Sequence, residues 1–198
     1  DGVMSLHKSI SVNTHYTRSV NVERDKESVE VASSYIPTSR AIRTLSKVAS
    51  TGHSKQAPRA WSLVGPYGSG KSSFSIFLSH LLSSTQTPQN KAAYAVLKKA
   101  DSEVASNLKR QTKSASGYLR VLISGAPEPL GQRIIRGIAE AATHFWEDKK
   151  GRKPKVLKKL EKLVSDEKVH TSVLIDIVDQ LQNQLQTAGS AGILLVID

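Results

Sequence analysis

Apolar residues recur along this chain in two rhythms. The first has the period of a helix. Ala41, Ile42, Leu45, Val48 and Ala49 fall on one face, and Thr38 or Ser39 caps the start of that helix. The same spacing turns Phe74, Phe77, Leu78, Leu81 and Leu82 inward on a helix that begins at Lys71 and ends in the polar stretch 83–88. Residues 90–113 read as a single polar, basic helix packed on one side only. Pro127 and Pro129 open a further helix with Leu130, Ile134, Ile138, Ala141 and Phe145 on one face, broken by the charged turn 147–153. Val156, Leu157, Leu160, Leu163 and Val164 define a short basic amphipathic helix. Val173, Leu174, Ile177, Val178, Leu181 and Leu185 define a longer one, ended by Ala188-Gly189-Ser190.

The second rhythm is continuous. Residues 60–64, 119–123 and 192–198 carry apolar residues on both faces, broken by Ser62 and Arg120 and closed by Asp198, the signature of strands covered on both sides. Two earlier stretches, 19–22 and 28–31, alternate and read as strands, with the charged run 23–27 turning between them. Tyr35-Ile36-Pro37 follows, held extended because proline bars its predecessor from the helical region. Residues 50–58 are polar, with Gly52 and Pro58, and read as a loop. Strands alternating with helices predict an α/β fold, a mostly parallel sheet flanked by helices. Residues 1–58 form an N-terminal strand and helix segment. Residues 59–198 form the main part, with a helical insertion at about 90–113 and helices across about 128–187. There is no internal repeat.

At 198 residues the chain can bury a real core. It has no cysteine, so disulfides and thiolate zinc sites are excluded. It shows no secretory signal and no apolar run near the roughly 20 residues of a membrane span, so the expectation is a cytoplasmic protein without a membrane partner. The formal charge of +11 is uneven: residues 91–170 hold 18 Lys/Arg against 9 Asp/Glu, the remainder 10 against 8. The excess therefore follows the helix that starts at Lys71. Such a basic face attracts DNA or RNA; a solvated lysine surface or an acidic protein partner are the other readings. The chain begins without methionine and stops at Asp198 directly after an apolar run, which reads as a segment of something larger.

One stretch carries chemistry. Gly65-Pro66-Tyr67-Gly68-Ser69-Gly70-Lys71-Ser72 matches G-x-x-x-x-G-K-[ST] completely. Gly65, Gly68 and Gly70 allow backbone conformations closed to other residues. Such a loop presents its N–H groups as an anion nest, and the helix beginning at Lys71 points its positive end at the same place. Lys71 supplies a cation for β- and γ-phosphates, and the Ser72 hydroxyl can ligate magnesium. The candidate phosphate site is Gly65 to Ser72 together with Ser73. Asp198, closing an apolar strand, is the candidate carboxylate of a Walker B motif, where it would hold magnesium-bound water and contact Ser72. Lys71 and Asp198 are thus the candidate catalytic pair, and Ser72 and Asp198 the candidate metal ligands. No Asn-Lys-x-Asp guanine motif is present, which favours ATP over GTP.

Together these residues resemble the AAA+ and STAND-like branch of P-loop ATPases. The resemblance implies a P-loop NTPase fold, ATP with Mg2+ as ligands, ATP hydrolysis coupled to conformational change, and an intact protein able to form oligomers. It also implies an adenine contact at the corner before the phosphate-loop strand, here Tyr35, Ile36 and Pro37. Tyr35 could stack on the base and Ile36 offer backbone groups; an ordinary strand-to-helix corner is the alternative. The wording around 61–82 and 122–130 is also similar to large bacterial ATPases of defence or restriction-type systems. The sequence departs from the pattern in the roughly 120 residues between Ser72 and Asp198, far more than a minimal AAA+ domain has. The glutamate, sensors, arginine finger and lid of that branch would lie after position 198. So would the strand that normally separates the phosphate-loop strand from the Walker B strand, which predicts a gap in the sheet or local repacking. A slow-hydrolysing nucleotide switch and a phosphotransferase are the other function classes.

Further candidates are weaker. Ser124, Gly125 and Glu128 follow a strand at its ligand-facing end, and Glu128 is either a γ-phosphate sensor or a first-turn helix residue. Arg133 and Arg136, one turn apart, either clamp anionic groups or face solvent. His80, His144, Trp61 and Trp146 read as packing residues, and the six histidines show no metal-ligand spacing.

Overall fold

Two parallel strands lie between two helical layers. The computed structural model describes residues 20–51, 62, 64–66, 68–112, 114–147, 149–151, 153–166 and 168–198. In chain order the elements are α1 (Val22–Asp25), α2 (Val29–Ser34), α3 (Ser39–Ser50), α4 (Lys71–Leu81), α5 (Pro88–Ala100) and α6 (Ser102–Thr112). Then come β1 (Tyr118–Ile123), α7 (Leu130–Glu147), α8 (Lys155–Val164), α9 (Thr171–Thr187) and β2 (Gly192–Ile197). Strands β1 and β2 pair in parallel, with Tyr118 opposite Gly192 and Ile123 opposite Ile197. The expected α/β class holds, in a chain that is mostly helical with a two-stranded parallel sheet among the described residues.

The continuous apolar runs have a direct cause. Alternate strand side chains face opposite layers. Leu119, Val121, Ile123 and Ile193 pack with α7, α8 and α9, around Ile135, Ile138, Leu160, Leu181 and Leu185. Tyr118 and Leu194 pack on the other layer, around Leu45, Phe77, Leu97 and Leu108 of α3 to α6, while Leu122 and Val196 meet Ile76 and Val22. Each of the fully buried Leu, Ile and Phe side chains among them stabilises the fold by about 1.5–3 kcal/mol relative to exposure. Helix α7 lies close on β1 because it carries a glycine there. A Cβ at Gly137 would sit 2.9 Å from Val121 Cγ1.

Local capping explains where several helices start. Thr38 Oγ1 accepts the Ala41 N–H at 3.2 Å and starts α3. Thr87 caps α5, with Pro88 in the first turn where its missing N–H costs nothing. Buried Asn90 donates to the carbonyls of His80, Leu81 and Ser83 at 3.0, 3.2 and 3.3 Å, so the end of α4 leaves few unmet acceptors.

Three expectations are corrected. The stretches read as strands at 19–22 and 28–31 form no strand where described: α1 starts at Val22 and α2 at Val29, with Asn21 and Ser28 as their caps, and Ser19 lies outside the described residues. Asn21 Oδ1 accepts the N–H groups of Glu23 and Arg24 at 3.0 Å each, and Ser28 Oγ accepts that of Val31 at 3.2 Å. Side-chain caps therefore outweigh a short period-two alternation. The basic helix expected at 90–113 is two helices. Asp101 ends α5 through its N–H to the Leu97 carbonyl (2.7 Å) and starts α6 through Oδ1 to the Val104 N–H (2.9 Å). Both helices bury a face, with Ala93, Leu97, Val104, Ala105 and Leu108 in the core; Lys113 lies outside the described residues. The buried strand expected at 60–64 is not formed where it is described. Ser62 and Val64 are exposed and outside any strand, Val64 at 75%. Of the loop expected at 50–58, Ser50 is the last residue of α3 and Thr51 its C-cap, while 52–58 lie outside the described residues, as do Ala60, Trp61 and Leu63. On β2, Leu195 is 39% exposed and Ile197 52%, and no third strand pairs with the sheet among the described residues. A run without a neighbouring strand has no ladder to satisfy its backbone. Among the described residues no helix is long and apolar enough to cross a membrane.

His80 is the most demanding core residue. It is fully buried on α4, and neither ring nitrogen has a hydrogen-bond partner. Burial pushes its pKa down to about 4, helped by the Arg120 guanidinium and opposed by Glu27 and the nearby Ser28 backbone. The ring is therefore neutral and packs as an apolar group. The unfolded chain takes up this proton near pH 6.5 and the folded chain only near 4, so acidification through that window favours unfolding. Through this residue alone, stability should fall by up to about 3 kcal/mol between pH 6.5 and 4. Urea unfolding of the parent and of His80→Leu across that range should show the loss in the parent and a reduced loss in the variant. Parallel profiles would contradict it.

Candidate functional site

The first turn of α4 and the carboxyl ends of β1 and β2 come together on one side of the molecule. Helix α4 begins at Gly70, whose φ of 81° is left-handed, and no side chain caps it. Its first-turn amides thus lack the hydroxyl or carboxylate that usually meets them. Gly68 is also left-handed, with φ 76°. A side chain at either position would be strained by about 1 kcal/mol or more. The loop closes through the Ser69 N–H on the Pro66 carbonyl at 3.2 Å.

Lys71 folds back over this loop. Its Nζ donates to the carbonyls of Gly65 and Pro66, both at 2.9 Å, and reaches Ser69 Oγ at 3.4 Å. A Cβ on Gly65 would sit 2.9 Å from Ser69 Oγ, so this corner is already filled. Gly68, Ser69 and Gly70 are exposed, while Lys71, Ser72 and Ser73 are half-buried. Tyr67 lies outside the described residues.

Ser72 joins the loop to the sheet. Its hydroxyl donates to Asp198 Oδ2 at 2.5 Å across 126 residues of chain. Asp198 is fixed by its main chain. Its N–H donates to the Ile123 carbonyl at 3.0 Å, and its carbonyl accepts the Gly125 N–H at 2.7 Å. The site thus combines a glycine loop, an uncapped helix start, an ammonium, a hydroxyl and a carboxylate. Such a set can hold a phosphate chain and one hard cation.

The other sequence candidates fall elsewhere. Tyr35 is extended as expected and stacks on Phe77 of α4, with centroids 4.4 Å apart and planes at 26°. Burial pushes its hydroxyl up to about 12. Ile36 is 70% exposed, and Pro37 is half-buried beside it. Arg40 of α3 donates to the Val64 carbonyl at 3.0 Å, tying that helix to the chain entering the loop. Glu128 pairs with Arg136 at 3.1 Å, so Arg133 and Arg136 do not form one clamp. His144 pairs with Glu147 at 3.3 Å. Trp146 is buried, edge-on to Phe145, while Trp61 lies outside the described residues. Among the described residues no group of three or more histidines and carboxylates could hold a metal by itself.

One constellation was missed by sequence reasoning. Glu23 Oε1 accepts the Ser124 N–H at 2.8 Å and pairs with Arg133, which also donates to the Ser124 carbonyl at 2.6 Å. A carboxylate read as part of a charged turn therefore docks α1 at the end of β1. No local signal marks a contact between residues 101 positions apart; the only hint is Asn21, which caps the helix carrying Glu23. Beside it a cavity of about 550 Å³ opens between α1, β1 and α7. Among the groups lining it are the ion pairs Arg120–Glu27 and Lys26–Glu140, both at 3.1 Å.

Comparison with known proteins finds no match: no family model, no curated protein and no solved structure aligns with this chain.

Glu23→Ala leaves a mostly buried guanidinium and the Ser124 amide without their carboxylate. The expected loss is about 1–3 kcal/mol, read as a lower urea midpoint with an unchanged denaturant slope. A midpoint equal to the parent's would mean that this contact does not hold α1 in place.

Proposed function

We propose that this chain is the nucleotide-binding part of a P-loop NTPase that takes ATP with magnesium. The observation that supports it most is the pairing of a complete G-x-x-x-x-G-K-[ST] sequence with a hydrogen bond from its serine to a strand-end carboxylate, Ser72 to Asp198. The left-handed Gly68 and Gly70 and the uncapped start of α4 fit the same reading.

On this reading each residue has one task. Main-chain amides from Gly68 to Ser73 would donate to the phosphate oxygens. Lys71 exchanges the carbonyls of Gly65 and Pro66 for oxygens of the β- and γ-phosphates. Ser72 and Asp198 would hold magnesium, which would supply positive charge beside the transferring phosphoryl group. The corner at Tyr35, Ile36 and Pro37 takes the adenine; there Ile36 is the exposed member, because Phe77 already occupies a face of the Tyr35 ring. The P-loop fold belongs to the same proposal. Hydrolysis would drive a conformational change, with nucleic acid as one object of that motion.

One observation favours a slow, switch-like turnover, as in STAND-type proteins. Among the described residues, Asp198 is the carboxylate at the loop, and it accepts from Ser72, while Glu128 is engaged with Arg136. Both carboxylates are thus engaged with groups of the protein itself.

Lys71→Ala should weaken binding of a non-hydrolysable ATP analogue with magnesium by about tenfold or more in calorimetry. An unchanged affinity would remove the phosphate site from this loop. In the intact protein Asp198→Asn should lower magnesium-dependent phosphate release far more than nucleotide affinity. Equal turnover in variant and parent would take Asp198 out of the reaction. Labelled product from small phosphate acceptors, with no free phosphate, would mark a phosphotransferase instead.

A further inference from the structure

We propose that the groove between α8 and α9 binds the phosphate backbone of a nucleic acid. The inference rests on this groove alone and stands apart from the reading of the phosphate loop.

Helix α8 separates its residues sharply. Val156, Leu157 and Leu160 are buried against α7 and α9, while Lys155, Lys158, Lys159 and Lys162 are exposed. The spacing i, i+3, i+4, i+7 gathers these four ammonium groups on one stripe opposite the buried face. Glu161 is the one acidic residue of the helix and flanks the stripe. Lys155–Lys159 and Lys158–Lys162 are like-charge i, i+4 pairs, each of which destabilises the helix. No salt bridge offsets this cost: among the described residues Lys155, Lys158 and Lys162 have no ion-pair partner, and Lys159 meets only the amide oxygen of Gln180, at 2.6 Å. A stripe held at such a cost is suited to a polyanion.

The stripe borders a concave site rather than a flat face. A groove of about 510 Å³ runs beside it, with Lys153, Lys155 and Lys159 on one wall and Gln180, Asn183 and Gln184 of α9 on the other. Cations on one side and uncharged amides on the other match a row of phosphates flanked by sugar and base edges. From Lys155 to Lys162 the helix rises about 10 Å, the axial length of about three phosphates of one strand. A membrane surface fits less well. A helix lying on lipid inserts its apolar face, and here that face is already buried in the core.

The test uses the full chain without nucleotide, so a defect at the phosphate loop cannot imitate its failure. Fluorescence anisotropy with a short labelled duplex, as DNA and as RNA, is followed over a salt series. The parent should bind several sequences with similar affinity and a steep salt dependence. Lys155→Gln/Lys159→Gln should lose about tenfold in affinity and flatten the log–log salt slope by roughly two, near one for each phosphate contact removed. The exposed pair Lys98→Gln/Lys99→Gln on α5 should bind like the parent. No binding by the parent, an unchanged slope in the α8 pair, or an equal loss in the α5 pair would overturn the proposal. So would phosphatidylserine vesicles or polyglutamate binding more tightly than either duplex with the same dependence on Lys155 and Lys159.

Discussion

The hydrogen bond from Ser72 to Asp198 can form only because β1 and β2 run the same way. Parallel pairing brings the carboxyl ends of both strands to one side, and α4 starts on that side. The carboxylate then stands where the first-turn hydroxyl can reach it, 126 residues away in sequence. The main-chain bonds of Asp198 to Ile123 and Gly125 extend the ladder past the last strand residue, so the acid is held by backbone rather than by side-chain packing.

The two helical layers serve that arrangement differently. Helices α7, α8 and α9 form the crossover between the strands and supply the large apolar cluster that fixes their register. Helices α2 and α5 pack on α4, α3 and α6 complete the same apolar cluster, and the Tyr35–Phe77 stack joins the extended corner to it. Asn90 holds the far end of α4 while glycine frees its near end. The helix is fixed at its carboxyl end and accessible at its amino end, the mounting that the proposed phosphate site would need.

What could be read from sequence followed from how local its cause was. The helices at α3, α4, α7, α8 and α9 and both strands were legible, because each carries enough apolar residues to define a period. Short segments were not. Near Val22 and Val29 two or three apolar residues fit either rhythm, and the side chains of Asn21 and Ser28 decided for helix. Asp101 splits a helical pattern by meeting two backbone groups, which no periodicity records. At the phosphate loop the residue types were legible as a motif, whereas the oxygens that Lys71 meets were not. Glu23 was invisible because its partners, Ser124 and Arg133, come from the other half of the chain.

The folded-back Lys71 has a consequence for selectivity. Its ammonium already holds two carbonyls and a hydroxyl of its own loop, so any guest must outcompete ligands tethered beside it at high effective concentration. A lone halide or acetate offers too few acceptors to displace them. On the proposed reading a chain of linked oxyanions, touching amides and ammonium together, would. The loop would then act as a threshold device, responding to multidentate anions and not to small ones.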